Sequence, residues 1–296
     1  MRIGAIEAGG TKFVCGIGSE SGIIEDRISF PTMHPERVME QVIEYFTDKK
    51  VEAIGIGTFG PIDIDPHSET YGCVTTTPKP GWSGFPFLET LKREFHVPFG
   101  WDTDVNAAAY GEAKWGAAQG LDSCVYFTIG TGIGVGVYSE GRLVHGLVHP
   151  EGGHLLPRRH PDDRFAGHCP FHGDCLEGLA AGPAIEARWG VKGNELGADH
   201  PAWAMEAYYL GQAVTSAILM LSPKMVIMGG GVMQQKQLLP MIRAEVRRNL
   251  NGYLNAAALQ IGMDNYIVAP GLGDNAGLSG SLALGLAALE RSTYSV

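Results

Sequence analysis

The chain has 296 residues, of which 45% are hydrophobic and 18% charged, and its formal net charge is −10 at pH 7. This composition is typical of a globular protein that can bury a large core. No long basic stripe, signal-peptide pattern or membrane-length apolar window is present in the sequence, so we expect no nucleic acid partner, no membrane partner and a cytoplasmic location.

The first part of the chain has the hydrophobic pattern of an α/β unit. The periodicity predicts, in order, three strands, a helix, a strand, a helix, a strand and a helix. These segments cover residues 3–10, 13–30 (two strands), 34–50, 53–60, 87–95, 97–101 and 105–116.

The second part begins with a similar phrase. Residues 124–146 have the strand, glycine turn, strand and hairpin order of residues 3–27, which indicates either a duplicated unit or the reuse of a common hairpin. A long helix, a strand ending in glycines, a helix interrupted near its start by Pro240, and a final strand, turn and helix complete the pattern. They cover residues 201–222, 224–231, 237–250 and 265–290.

Glycine-rich turns are the first candidates for chemistry. The chain lacks a P-loop, and the G-x-G-x-x-G match at 55–60 is followed by Pro61 where a phosphate-binding helix should begin. EAGGTK at 7–12 and GTGIG at 130–134 each lie between two strands, where successive backbone N–H groups can bind phosphate oxygens. Each could also be an ordinary hairpin turn. Because one opens each half of the chain, together they indicate a nucleotide held in a cleft.

Two aspartates stand at a strand-to-helix junction. Asp102 and Asp104 precede the helix predicted over 105–116. A carboxylate at this position can act as a general base in a cleft, or it can be only the N-cap of the helix.

The five cysteines include one pair with histidines between them, which favours thiols and a single metal site over disulfides. Cys169, His172 and Cys175 lie three residues apart and supply three zinc ligands. The fourth has to come from elsewhere: His154 and His160 are candidates, whereas His168 adjoins Cys169 and cannot easily turn to the same ion.

Taken in order, these motifs resemble the ROK sugar kinases of the actin, Hsp70 and hexokinase superfamily, and most of all their bacterial ATP-dependent fructokinases. The resemblance extends over nearly the whole chain. It rests on EAGGTK (7–12), TPKPGW (77–82), DTDVNAAAYGEA (102–113), GTGIGVG (130–136), EGGH (151–154), CPFHGDCLEG (169–178), MGGGV (228–232) and GLGDNAGLSGS (271–281).

The resemblance implies an α/β, two-lobed, ribonuclease H-like fold with a duplicated core and a cleft between the lobes. The expected lobes are residues 1–118 and 119–296, with the last helix packing back on the N-terminal lobe. A homodimer is the corresponding expectation for the assembly.

The resemblance also implies roles for individual residues. Asp104 takes the position of the catalytic base. Glu7 replaces the usual Asp of the first motif, in the Mg²⁺ and phosphate environment, and Thr103 replaces a common sugar-binding Asn. The implied sugar ligands are Asp104, Glu151, His154 and Glu177; the implied zinc ligands are His154, Cys169, His172 and Cys175; and the implied ATP and phosphate contacts are Gly9, Gly10, Thr11, Lys12, Gly130, Thr131, Gly132, Gly229, Gly230 and Gly231.

The expected activity is therefore ATP-dependent phosphorylation of a hexose at its 6-hydroxyl, with Mg²⁺ and a structural Zn²⁺, and with fructose as the first candidate substrate. Glucose, mannose and amino sugars are the alternatives within the same activity. A sugar-responsive repressor would carry a helix-turn-helix segment before the first strand, which here begins at Ile3. A zinc hydrolase would need an open coordination position, which a site filled by Cys and His does not offer.

Overall fold

The computed structural model describes residues 1–294, without the side chain of Tyr294. Two five-stranded mixed sheets form its framework, in the orders β3-β2-β1-β4-β5 and β10-β9-β6-β7-β8. The strands are β1 Ile3–Ala8, β2 Lys12–Gly18, β3 Ile24–Pro31, β4 Ala53–Thr58, β5 Phe99–Thr103, β6 Cys124–Ile129, β7 Ile133–Ser139, β8 Arg142–Leu143, β9 Val226–Gly229 and β10 Ile267–Val268.

The two sheets repeat one topology. In the first sheet, β1 pairs antiparallel with β2 and parallel with β4. In the second, β6 pairs antiparallel with β7 and parallel with β9. Each sheet therefore has a central strand with a hairpin on one side and parallel strands on the other, and this repetition confirms the predicted duplicated core.

The helices fill the space around and between the sheets. They are α1 Pro35–Thr47, α2 Phe87–Glu94, α3 Asp104–Trp115, α4 Leu176–Ala180, α5 Gly182–Trp189, α6 Ala202–Leu221, α7 Leu238–Leu250, α8 Ala257–Gln260, α9 Met263–Tyr266 and α10 Ala276–Tyr294. No helix within residues 1–294 combines the length and the apolar character needed to cross a membrane.

Helices α3 and α10 pack closely against each other and link the two halves. Helix α3 contacts β4 and β5 of the first sheet as well as β6 and β7 of the second, whereas α10 lies on β1, β4 and β5. A Cβ added at Gly280 of α10 would lie 1.8 Å from the Ala107 carbonyl oxygen of α3. The last helix in the sequence thus packs on the first sheet.

The G-x-G-x-x-G match at 55–60 has a packing role. A Cβ added at Gly55 in β4 would lie 1.8 Å from the Ser281 carbonyl oxygen, so a glycine there lets α10 approach the strand. This contact explains the glycine without a nucleotide.

The predicted interruption of α7 at Pro240 is wrong. The helix begins at Leu238, so Pro240 lies in its first turn. N–H groups in the first turn have no partner inside the helix, and a proline there removes no hydrogen bond.

Candidate functional site

A cavity of about 560 Å³ is lined by residues from both halves of the chain. Most of the predicted site residues face it, namely Glu7, Gly9, Gly10, Thr11, Lys12, Asp104, Gly130, Thr131, Gly132, Glu151, His154 and Glu177. Cys169, His172, Cys175 and the glycines at 229–231 are not among the lining residues.

The two glycine turns face each other across this cavity. In the first, Gly9 N–H donates to the Lys12 carbonyl at 3.0 Å. In the second, Gly130 N–H donates to the Gly132 carbonyl at 2.9 Å. The hydroxyl oxygens of Thr11 and Thr131, one from each turn, are 3.4 Å apart. Both turns therefore present backbone and hydroxyl groups to the same space.

The glycines at 229–231 lie at the end of β9, next to the strand β6 that leads into the second turn. Gly229 ends β9 opposite Thr128 of β6. Gly230 has a φ of 93°, and a Cβ there would lie 2.4 Å from the Ile129 carbonyl oxygen. In this structure Gly230 lets the backbone approach the end of β6, whereas a Cβ added at Gly231 would meet no atom within 4 Å.

Asp104 is the first residue of α3, and it is not the N-cap. The cap is Thr103, whose Oγ1 accepts a hydrogen bond from Asn106 N–H at 3.2 Å. Asp104 Oδ1 accepts from Val105 N–H at 2.9 Å. The alternative in which Asp102 or Asp104 only caps the helix is therefore wrong, and the Asp104 carboxylate lines the cavity.

Desolvation raises the pKa of Asp104 from its ordinary 3.8 to about 6. A carboxylate whose pKa is raised toward the working pH is a stronger proton acceptor than an ordinary one, while it remains largely ionised at neutral pH. Its position and basicity both suit a general base.

Asp102 is buried and organises the start of α3. Its Oδ1 accepts hydrogen bonds from Thr103 N–H and from Asn106 Nδ2, each at 2.8 Å. Its Oδ2 lies 2.7 Å from His145 Nε2. The Asn106 amide oxygen in turn accepts from Val137 N–H at 3.2 Å in the second sheet. Sequence reasoning missed Asn106 and His145. Asp102 lies at the end of β5 and Asn106 in the first turn of α3, so no single strand or helix periodicity links the two side chains.

The other carboxylates give the cavity a negative character. Burial, followed by the charge of Asp104, raises the pKa of Glu7 to about 7, while Lys12 acts in the opposite direction. Burial and the charges of Asp104 and Glu177 raise the pKa of Glu151 to about 7. Such a group of carboxylates can accept hydroxyl hydrogen bonds or bind a cation.

Two lysines oppose this charge. Lys12 belongs to the first turn, and Lys79 comes from the loop after β4. From the sequence alone, the TPKPGW motif that contains Lys79 was recognised, but the Lys79 side chain was given no role. The Lys79 ammonium donates to the Gly10 carbonyl and lies 5.4 Å from the centroid of the Phe59 ring. Desolvation lowers the pKa of Lys79.

The Cys/His cluster forms with the predicted members. The ligand atoms of His154, Cys169, His172 and Cys175 all lie within 4.8 Å of one another. Cys175 Sγ is 3.4 Å from His154 Nδ1, and Cys169 Sγ is 3.8 Å from that atom and 3.7 Å from His172 Nδ1. A tetrahedral zinc ion with ordinary Zn–S and Zn–N bonds separates its ligand atoms by roughly 3.5 Å, so the donor set and its spacing fit zinc.

The rival fourth ligand His160 lies elsewhere. Its ring packs edge-on against Tyr208, with centroids 4.8 Å apart, and its Nδ1 accepts from Asp162 N–H at 3.2 Å. Neither His160 nor His168 belongs to the four-residue cluster.

The cluster is connected to the cavity at two points. His154 lines the cavity, and its N–H donates to the Glu151 carbonyl at 3.0 Å. Cys175 precedes α4, whose Glu177 accepts from Ile133 N–H of β7 at 3.0 Å through Oε2. A metal in the cluster would therefore hold both carboxylate-bearing segments against the second glycine turn.

Comparison with known proteins agrees with this architecture. Fructokinase from Pediococcus pentosaceus is 49% identical over 99% of this chain and 100% of its own length, and fructokinase from Streptococcus mutans is 43% identical over 97% of each chain. The ROK hexokinase structure from Thermus thermophilus has a TM-score of 0.80 at 29% identity, covering 98% of this chain and 100% of that one.

A ROK family glucokinase structure from Streptomyces griseus, in complex with glucose and AMPPNP, has a TM-score of 0.75 at 25% identity and covers 97% of this chain and 100% of that one. The sequence profile of the ROK family matches residues 3–288. The chain belongs to the ROK family.

Proposed function

We propose that the protein transfers the γ-phosphoryl group of ATP to the 6-hydroxyl of D-fructose, giving D-fructose 6-phosphate and ADP. The observation that carries this proposal is the placement of Asp104, with its raised pKa, in one cavity with two facing Gly-Thr turns. A base, a phosphate-binding surface and room for a hexose are what such a transfer needs.

In the proposed reaction, Asp104 accepts the proton of the 6-hydroxyl as that oxygen forms a bond to the γ-phosphorus. The bond between the γ-phosphorus and the bridging oxygen breaks, and ADP leaves with the electron pair. The turns at 9–12 and 130–132 hold the phosphates, with Lys12 supplying positive charge. The glycines at 229–231 would form part of the nucleotide-binding site.

Mg²⁺ would be held near Glu7 and the nucleotide phosphates, since a hard cation prefers oxygen ligands. When bound, it neutralises charge on the transferred phosphoryl group. The raised pKa of Glu7 supports this position, because an ion there would offset the charge that burial and Asp104 make unfavourable.

The sugar would be bound by Asp104, Glu151, His154 and Glu177, because carboxylates accept paired hydroxyl hydrogen bonds. Two relatives with the name fructokinase are 49% and 43% identical to this chain, whereas the glucokinase with bound glucose is 25% identical. This contrast supports fructose over glucose.

The cluster of His154, Cys169, His172 and Cys175 would hold a structural Zn²⁺. Four protein ligands fill a tetrahedral site and leave no position for a reactive water, so the ion would not take part in the reaction. We further propose that the protein is cytoplasmic and that it forms a homodimer. Light scattering on the purified protein would test the dimer.

The decisive experiment follows ADP release from MgATP in the presence of fructose, glucose, mannose and glucosamine. We expect turnover to be highest with fructose. Asp104→Asn should lower kcat by about 10²-fold to 10⁴-fold while fructose still binds. Asp122→Asn is the matched control, since Asp122 is an exposed aspartate paired with Lys224. The proposal is refuted if no sugar stimulates ADP release.

A further inference from the structure

His149 joins the two walls of the cavity without lining it. It is 3% exposed, and its Nε2 accepts a hydrogen bond from Ile62 N–H at 3.0 Å. Ile62 follows Gly60 and Pro61, which line the cavity on the N-terminal side, whereas Pro150 and Glu151 line it on the C-terminal side. The buried ring of His149 therefore contacts the loop of the N-terminal half, while its own backbone continues directly into Pro150 and Glu151 in the C-terminal half.

The contact with Ile62 determines the tautomer of the ring. A nitrogen that accepts a hydrogen bond carries no proton, so the proton of the neutral imidazole is on Nδ1. Desolvation lowers the pKa of His149, which favours this neutral form. The polar partners of Nδ1 are the Pro150 backbone and Glu151 Oε1, the latter at 3.3 Å.

The neighbouring glycine shows how closely the ring is packed. A Cβ added at Gly60 would lie 3.2 Å from His149 Cε1. This is tighter than ordinary van der Waals contact, so a side chain at position 60 would press on the ring. Glycine at this position lets the buried ring pack directly against the loop that carries Ile62.

We propose that His149 is a positioning residue that holds the Glu151 carboxylate at the cavity and ties it to the loop of Gly60, Pro61 and Ile62 in the opposite half. This inference rests on the proposed function, in which Glu151 binds the sugar. His149 itself touches neither sugar nor nucleotide. Its effect should therefore appear in the KM for the sugar and leave the KM for ATP unchanged.

Two substitutions separate the contacts of the ring. In His149→Gln the amide oxygen can reach the Nε2 position and accept from Ile62 N–H, but the donor at Nδ1 is lost. In His149→Asn the amide nitrogen can take the Nδ1 position, but the acceptor for Ile62 is lost. We expect His149→Gln to raise the KM for fructose about tenfold, with kcat changed less than about threefold. His149→Asn should raise this KM less and lower the melting temperature more.

A double-mutant cycle with Glu151→Gln tests the route of the effect. If His149 acts through the Glu151 carboxylate, adding His149→Gln to Glu151→Gln should raise the KM for fructose less than about twofold further. A full additional tenfold increase, or an equal increase in the KM for ATP, would overturn the proposal. Should the His149 variants fail to fold, Gly60→Ala, which displaces the ring by a few tenths of an ångström, should raise the KM for fructose in the wild-type background and far less beside Glu151→Gln.

The two proposals fail in different ways. The wild-type protein is first assayed on the four sugars. No turnover with any of them refutes the proposed function and the positioning role together. Turnover by the wild-type protein with an additive cycle refutes the positioning role alone.

Discussion

Replacing Asp104 by Asn should stabilise the sugar-free and nucleotide-free protein at neutral pH, although it should abolish most of the proposed activity. Burial raises the pKa of Asp104 from its ordinary 3.8 to about 6, so keeping this carboxylate ionised in the folded state costs free energy. An amide of the same shape carries no charge and can still accept from Val105 N–H.

The magnitude follows from the pKa difference. A shift of about two units corresponds to about 3 kcal/mol between the ionised states at pH 7. Because the folded pKa is above the unfolded value, the folded state binds more protons between these two values. Protonation of this group therefore stabilises the wild-type protein below about pH 4, and that contribution to the free energy of unfolding is lost as the pH rises through about 6.

The assay is urea unfolding of the wild-type protein and Asp104→Asn between pH 4 and pH 8, without sugar, nucleotide or Mg²⁺. The free-energy difference should approach about 3 kcal/mol in favour of Asn at pH 7 and vanish near pH 4. Asp122→Asn provides the opposite sign, because the hydrogen bond from Lys224 lowers the pKa of Asp122. An Asp104→Asn variant that is no more stable than the wild type at pH 7 would contradict the desolvation argument.

Three further predictions concern the pH profile, the metal and a buried carboxylate. First, kcat/KM for fructose should fall about tenfold from pH 7 to pH 5 if Asp104 with a pKa of about 6 is the base, and the drop should persist in Glu7→Gln; a flat profile down to pH 5 would exclude this assignment. Second, elemental analysis should find about one zinc per chain, and Cys175→Ala should lower it and raise the KM for fructose more than the KM for ATP; full zinc retention would remove Cys175 from the site. Third, Glu112→Ala should lower the free energy of unfolding by at least about 3 kcal/mol, because the Glu112 carboxylate accepts hydrogen bonds from three backbone N–H groups. The control Glu140→Ala, at an exposed glutamate, should change this free energy little. Equal stabilities of the two variants in urea would disprove this account.

Local patterns were sufficient for most of the secondary structure. The order of the strands and of the six helices α1, α2, α3, α6, α7 and α10 followed from hydrophobic period and from glycine turns. Helices α4, α5, α8 and α9 were not predicted. Of these, α4, α8 and α9 have only four or five residues, which is too short to show a helical period. The error at Pro240 came from reading a proline as a break when it occupies a first helical turn. The family resemblance pointed to His154 as the fourth metal ligand. Spacing alone does not predict its contact with Cys175, because the two residues are far apart in sequence.

Other features depend on contacts between distant segments. Glu112 and the loop at Gly271 and Leu272 are separated by about 160 residues in sequence, and nothing near either one predicts their hydrogen bonds. The same holds for Ile62 and His149, which are 87 residues apart. The hydrogen bonds of a buried polar side chain become known only when its partners in the fold are known. The residues next to it in sequence are the same whether or not it is paired.

By itself, the sequence determined the order of the strands and of the longer helices, the two glycine turns, the aspartate pair and the Cys/His spacing, since each of these depends on a few neighbouring residues. The tertiary structure decided that α10 packs on the first sheet, that Thr11 and Thr131 meet across one cavity, and that Thr103 rather than an aspartate caps α3. It also decided how strongly burial perturbs Asp104. Desolvation and cross-chain hydrogen bonds depend on what the whole fold places around a group, and no local pattern contains that information.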